Sequence, residues 1–82
     1  MPQADIAFVR EQGVEFAVVC VADRVAEGSV EREGVFSAWT MELRRPVVLM
    51  GANRHACYGH KSVVSFVASI HPSRLPWRRV GI

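Results

Sequence analysis

No acidic residue follows Glu42 in this chain of 82 residues. Such a basic half would suit an anionic partner or an acidic patch on another copy, although a solvated surface whose charges happen to be segregated is the plainer reading. No apolar run approaches the roughly 20 residues that cross a bilayer, so no membrane-spanning helix is expected. The opening Met1-Pro2-Gln3-Ala4-Asp5 lacks the basic residues and long apolar segment of a secretory signal. The cysteines are two, Cys20 within an apolar stretch and Cys57 within a polar one, and they do not make a disulfide framework. These absences point to a reducing cytoplasm. Internal repeats and low-complexity segments are also missing, and the length suits one small domain over residues 1–82.

What the chain does hold is apolar surface. Hydrophobic residues make up 50% and the mean hydropathy is +0.15. A chain this short buries only about 60–65% of the surface it exposes when unfolded, so a homo-oligomer, most simply a dimer, is expected. The stretch Gly13-Val14-Glu15-Phe16-Ala17-Val18-Val19-Cys20-Val21-Ala22 has no polar side chain after Glu15 until Asp23. So short, apolar and β-branched a run reads as a strand buried on both faces.

The other elements arrange themselves around that strand. Asp5 to Gln12 reads as a first strand leading through Glu11-Gln12-Gly13, a hairpin loop with glycine at its left-handed position. That register would pair Arg10 with Val14, Phe8 with Phe16 and Ile6 with Val18. A short helix stopped by Gly13 is the alternative, and it is weaker because isolated short helices are marginal. Beyond the turn Asp23–Gly28, Ser29 suits an N-cap and Glu31 and Glu33 suit a first helical turn. Val35, Phe36, Trp39 and Leu43 form the buried stripe, Arg44 and Arg45 complement the dipole, and Pro46 stops the helix. Gly34 weakens it by about 1 kcal/mol relative to alanine.

Pro46-Val47-Val48-Leu49-Met50 reads as a second buried strand, parallel to the first through a right-handed crossover. Gly51 to Gly59 reads as a loop. A second helix runs from about His60 to Ile70, with Val63, Phe66, Val67 and Ile70 inward. After the proline-bounded link from His71 to Pro76, Trp77 to Ile82 suits a short edge strand. The expected fold is α+β, with the order β-β-α-β-α-β, a small mixed four-stranded sheet and two helices. Both helices on one face would leave the other bare and call for a dimer partner. Helices on opposite faces would let the monomer cover itself.

Four stretches could carry chemistry. The loop from Asn53 to Lys61 follows a buried parallel strand and leads into a helix, where open α/β sheets favour ligands. Arg54, His55, His60 and Lys61 with the helix N-terminus would make an anion site, although no glycine-rich phosphate pattern is present and a plain solvated loop is the stronger reading. His55, Cys57 and His60, with His71, contain the donor types of zinc, but one cysteine and a distant His71 do not make a zinc spacing, and no metal or cofactor is expected. Cys57 beside histidines could be a thiolate nucleophile, yet nothing around it forms a catalytic signature, and no catalytic residue is assigned. Last, Arg74, Trp77, Arg78 and Arg79 interleave cations with an aromatic, the pattern of nucleic-acid or partner binding, unless Trp77 only pins the tail to the sheet.

Gly13-Val14-Glu15-Phe16-Ala17-Val18-Val19, Pro46-Val47-Val48-Leu49-Met50-Gly51, Tyr58-Gly59 and Leu75-Pro76-Trp77-Arg78-Arg79 together resemble small hypothetical proteins encoded in bacterial integron mobile gene cassettes. The resemblance implies a cytoplasmic bacterial protein of undefined activity and transfers no catalytic residue. Arginine often follows Tyr-Gly in such proteins, and His60 departs from that.

The expected function is a non-enzymatic, dimeric binding module that engages an anionic ligand or a protein partner through its basic half. A nucleic-acid-binding regulator using Arg74, Trp77, Arg78 and Arg79 is the alternative. A small enzyme centred on residues 54–61 is the third reading.

Overall fold

The computed structural model of the chain describes residues 3–11, 13–28 and 30–81. Ser29, expected as an N-cap, and Gln12 and Ile82, expected in a loop and a strand, lie outside the described residues. The strands are β1 (Gln3–Glu11), β2 (Val14–Val21), β3 (Val47–Gly51), β4 (Cys57–Gly59) and β5 (Trp77–Gly81). The helices are α1 (Asp23–Ala26), α2 (Arg32–Leu43) and α3 (Lys61–Ala68), and a single 3-10 turn spans Pro72–Arg74. The fold is α+β, with one five-stranded mixed sheet in the order β4-β3-β2-β1-β5.

This corrects the expected four strands and two helices. β4, read as loop, pairs antiparallel with β3 through Met50–Cys57, Leu49–Tyr58 and Val48–Gly59. A strand that short shows no periodicity, so only the pairing reveals it. Gly59 permits the pairing, because a Cβ there would lie 2.7 Å from the Val47 carbonyl oxygen and 3.3 Å from Val48 Cα. The short α1 was read as turn; it buries Val25 and Ala26.

β2 occupies the centre of the sheet, antiparallel to β1 and parallel to β3, as its unbroken apolar run requires. The hairpin register differs from expectation by one residue. Glu11 pairs with Val14, so Phe8 meets Ala17 and Val9 meets Phe16. A one-residue shift in a strand exchanges its faces. Phe8 therefore joins the α2 side, where the Arg45 guanidinium lies 5.2 Å from its ring centre. Phe16 joins the α3 side and meets Phe66 edge-on at 5.8 Å.

The two layers answer the question of cover. One holds Ile6, Ala17, Val19, Val47 and Leu49 beneath Val35, Phe36, Trp39 and Leu43 of α2. The opposite one holds Ala7, Phe16, Val18, Val48 and Met50 beneath Val63, Val64, Phe66 and Val67 of α3. Val18 and Val19, neighbours in β2, are both fully buried, one in each layer. The helices thus lie on opposite faces, and the bare face that argued for a dimer does not exist in the monomer.

α2 ends earlier than expected, at Leu43, with Arg44 in the left-handed conformation at φ 54° as its C-cap and its N–H on the Thr40 carbonyl. Arg45 thereby leaves the helix and is free to lie against Phe8.

Candidate functional site

The residues expected to form an anion site do not converge. Arg54 and His55 sit beyond the carboxyl end of β3, whereas His60 and Lys61 follow β4, which runs back along β3. The intervening strand separates the two pairs by about 10 Å at roughly 3.3 Å per residue. Near Arg54 the position for an anion is already taken. The Asp23 carboxylate oxygen Oδ1 accepts the backbone N–H groups of Asn53 and Arg54, each at 3.0 Å. Arg54 Nε lies 3.3 Å from Glu27 and 3.7 Å from Asp23. These two backbone donors, Arg54 first, hold the Asp23 carboxyl below its ordinary pKa against the opposing effect of burial, with smaller help from the Asn53 side chain and the Arg54 charge. Gly51 makes the approach possible, since a Cβ there would meet Asp23 Oδ1 at 2.5 Å. Asp23 was read only as part of a turn. The acid that organises this loop is 30 residues upstream, and no local pattern links the two.

The histidines have structural partners. His60 is the N-cap of α3, its Nδ1 accepting the Ser62 N–H at 3.4 Å and lying 2.8 Å from the Ser62 hydroxyl. His71 repeats the arrangement on Ser73, at 3.2 Å and 2.7 Å, at the start of the 3-10 turn. In each case the imidazole replaces the usual serine or aspartate cap of an unpaired backbone donor. His55 is exposed with φ 60°, in the turn between β3 and β4. Among the described residues no group of three His, Cys, Asp or Glu side chains is placed to hold a metal ion.

A hollow of about 390 Å³ lies on the sheet floor beneath the 3-10 turn, at the carboxyl ends of β2 and β3. Asp5, Cys20, Met50, His55, Ser73 and Trp77 are among its lining. This is where an open sheet offers space, and of the expected site residues His55 and Trp77 reach it. The two thiols of the chain do not make a reactive centre. Burial pushes the Cys20 thiol up, the carboxylates of Asp5 and Asp23 push it further, and Arg79 offsets part of this. Burial alone raises Cys57, whose Sγ donates to the His55 carbonyl at 3.4 Å. A protonated thiol is a poor nucleophile. Both cysteines are free, and the register places Cys20 beside Met50 and Met50 beside Cys57. Two strand spacings, about 9–10 Å, exceed the roughly 7 Å that a disulfide spans.

The basic tail is divided by its own pleat. Ala7 pairs with Trp77 and Asp5 with Arg79, on the α3 side; Ile6 pairs with Arg78 and Ala4 with Val80, on the α2 side. Trp77 packs in the α3 layer and its indole N–H donates to the Pro72 carbonyl at 2.8 Å. The ring pins the chain and is not a free stacking platform. Arg79 Nε lies 3.5 Å from Asp5. The charge division along the chain is therefore partly cancelled in space, by Asp5 against Arg79 and by Asp23 and Glu27 against Arg54. Among the described residues of the second half Lys61, Arg74 and Arg78 make no ion pair, nor do Arg32 and Arg44 in the first. Comparison with family models, curated proteins and solved structures finds no match. No helix among the described residues is long and apolar enough to cross a membrane.

Proposed function

We propose that the protein is a non-enzymatic binding module whose basic C-terminal half engages an acidic protein partner. The observation that carries this reading is the position of the uncompensated cations. Arg78 lies on an edge strand and Arg74 in the turn that leads to it, both exposed and without a carboxylate in ion-pair range among the described residues. Charge left unpaired at a sheet edge raises the local concentration of an anionic partner and speeds encounter. The expected anion pocket at Arg54, His55, His60 and Lys61 does not support a small-molecule reading, because Asp23 holds the loop's donors and β4 separates the pairs. Nor does a nucleic-acid reading gain from the tail, where Trp77 is packed and the adjacent arginines face opposite ways.

A homodimer belongs to this proposal only through charge, with Glu33 and Glu42 of α2 of one copy facing the basic edge of another. Light scattering tests it directly. A cytoplasmic setting and a mobile-cassette origin are likewise proposals, resting on the sequence resemblance. Titration of the chain with polyglutamate and with single-stranded DNA at low salt tests the main reading. Polyglutamate should bind, with affinity that falls as salt rises and falls again in the Arg74→Ala/Arg78→Ala variant. Absence of polyglutamate binding at low salt, or tighter binding of DNA, overturns it.

A further inference from the structure

We infer that the acidic partner binds as an added strand on β5, extending the sheet to six strands. This rests on the acidic-partner reading and specifies its geometry. β5 pairs with β1 on one side and, among the described residues, has no strand on the other. Alternate residues of such a strand turn their backbone N–H and C=O groups outward, which makes the edge a template for another extended segment. The opposite edge, β4, is 3 residues long and runs straight into α3, so it offers no comparable length.

Side chains define the occupant. Arg78 stands on the α2 face of β5 and the adjacent Arg79 on the α3 face, so a docking strand meets one guanidinium on each side, unpaired among the described residues in Arg78 and shared with Asp5 in Arg79. Trp77 and Val80 flank them, both half-buried. The complementary strand carries an apolar residue opposite Trp77, acids opposite Arg78 and Arg79, and an apolar residue opposite Val80. Its core is apolar-acid-acid-apolar, a pattern that reads the same in either direction. A second copy does not fit through its own β5, because adjacent arginines would then face arginines, and like charges directly opposite destabilise a pair. Cations on an edge also guard against self-association, and the same pair that excludes another β5 selects an acidic strand.

The test uses the full chain and the capped peptide Thr-Val-Glu-Glu-Val-Thr, followed by amide chemical shifts and amide hydrogen exchange. The expected result is shift and exchange protection concentrated on residues 77–81. Arg78→Ala and Arg79→Ala should each weaken binding by about two- to fivefold, as a lost cross-strand ion pair does. A peptide of the same charge with both valines replaced by proline cannot form the ladder and should not bind. Equal binding of the two peptides overturns strand addition and leaves the acidic-partner reading standing. Failure of both peptides and of polyglutamate at low salt overturns both. Shifts on residues 77–81 that grow with protein concentration alone identify a second copy as the occupant, and shifts there with single-stranded DNA but not with peptide identify nucleic acid; either overturns the inference.

Discussion

Val18 and Val19 offer a direct test of whether the sheet is closed on both faces by this chain alone. Both are fully buried, Val18 with Ala7, Val48 and Val67, Val19 with Ile6, Leu49 and Trp39. Valine to alanine removes two methyl groups, about 1.6 kcal/mol of transfer free energy at roughly 0.8 kcal/mol each. The cavity left behind, on the order of 40 Å³ at about 24 cal/mol per Å³, adds about 1 kcal/mol. The loss of β-branching is shared by two adjacent positions of one strand, so it drops out of the comparison. Each substitution should therefore cost about 2–3 kcal/mol, against a total of about 4–12 kcal/mol for a domain of this length. Both melting temperatures should fall by about 10–20 °C. The assay is thermal and urea unfolding of wild type, Val18→Ala and Val19→Ala, repeated at about a hundredfold higher protein concentration. A self-covered sheet gives two similar losses that do not depend on concentration. If one variant is silent, or its stability rises with concentration, that face is closed by another copy and the two-layer argument fails.

Gly34 lies inside α2, and a Cβ there meets nothing within 4 Å. Gly34→Ala should raise stability by about 1 kcal/mol, and an unchanged melting temperature would place the residue outside a formed helix. Gly59→Ala should destabilise, because its Cβ would press on the β3 backbone at the Val47 carbonyl; an unperturbed melt would show that β4 does not pair as described. The Asp23 carboxyl titrates below its ordinary 3.8 when folded, so the unfolded chain takes up the proton first. Its contribution is complete above that ordinary value and is lost as pH falls through the folded one. Asp23→Asn should therefore be less stable than wild type at neutral pH, with the gap closing in acid as measured by urea midpoints; a gap constant with pH would remove the charge from the account. Cys20 and Cys57, with thiols raised by burial, should alkylate with iodoacetamide more slowly at neutral pH than a free cysteine, and a faster rate would reopen the nucleophile reading.

Local chemistry was enough to locate most elements. The unbroken apolar runs of Phe16–Val21 and Val47–Met50 required strands covered on both faces, and they pair in parallel in the middle of the sheet. The spacing of Val35, Phe36, Trp39 and Leu43 marked the buried stripe of α2, and Val63, Phe66 and Val67 that of α3, because helical periodicity is written in consecutive residues. Ile70, expected in the same helix, packs on that layer from beyond its end at Ala68. Trp77 as a pin for the tail was also legible, since an aromatic entering a short edge strand has apolar surface to bury.

Other features belong to contacts between distant residues. The hairpin register depends on which layer receives Phe8 and which Phe16, a choice made by two helices that follow later in the chain. β4 exists only because β3 pairs with it, and the 54–61 loop closes on Asp23, far upstream, rather than on a ligand. Composition by itself determined that the second half is basic and the core strands are apolar, because both are sums over residues. Tertiary structure alone decided which charges meet, placing Asp5 on Arg79 and Asp23 and Glu27 on Arg54, and leaving the β5 edge positive. The reason is physical: ion pairs and strand registers are set by distances through space, and a sequence carries those distances only after the sheet has been assembled.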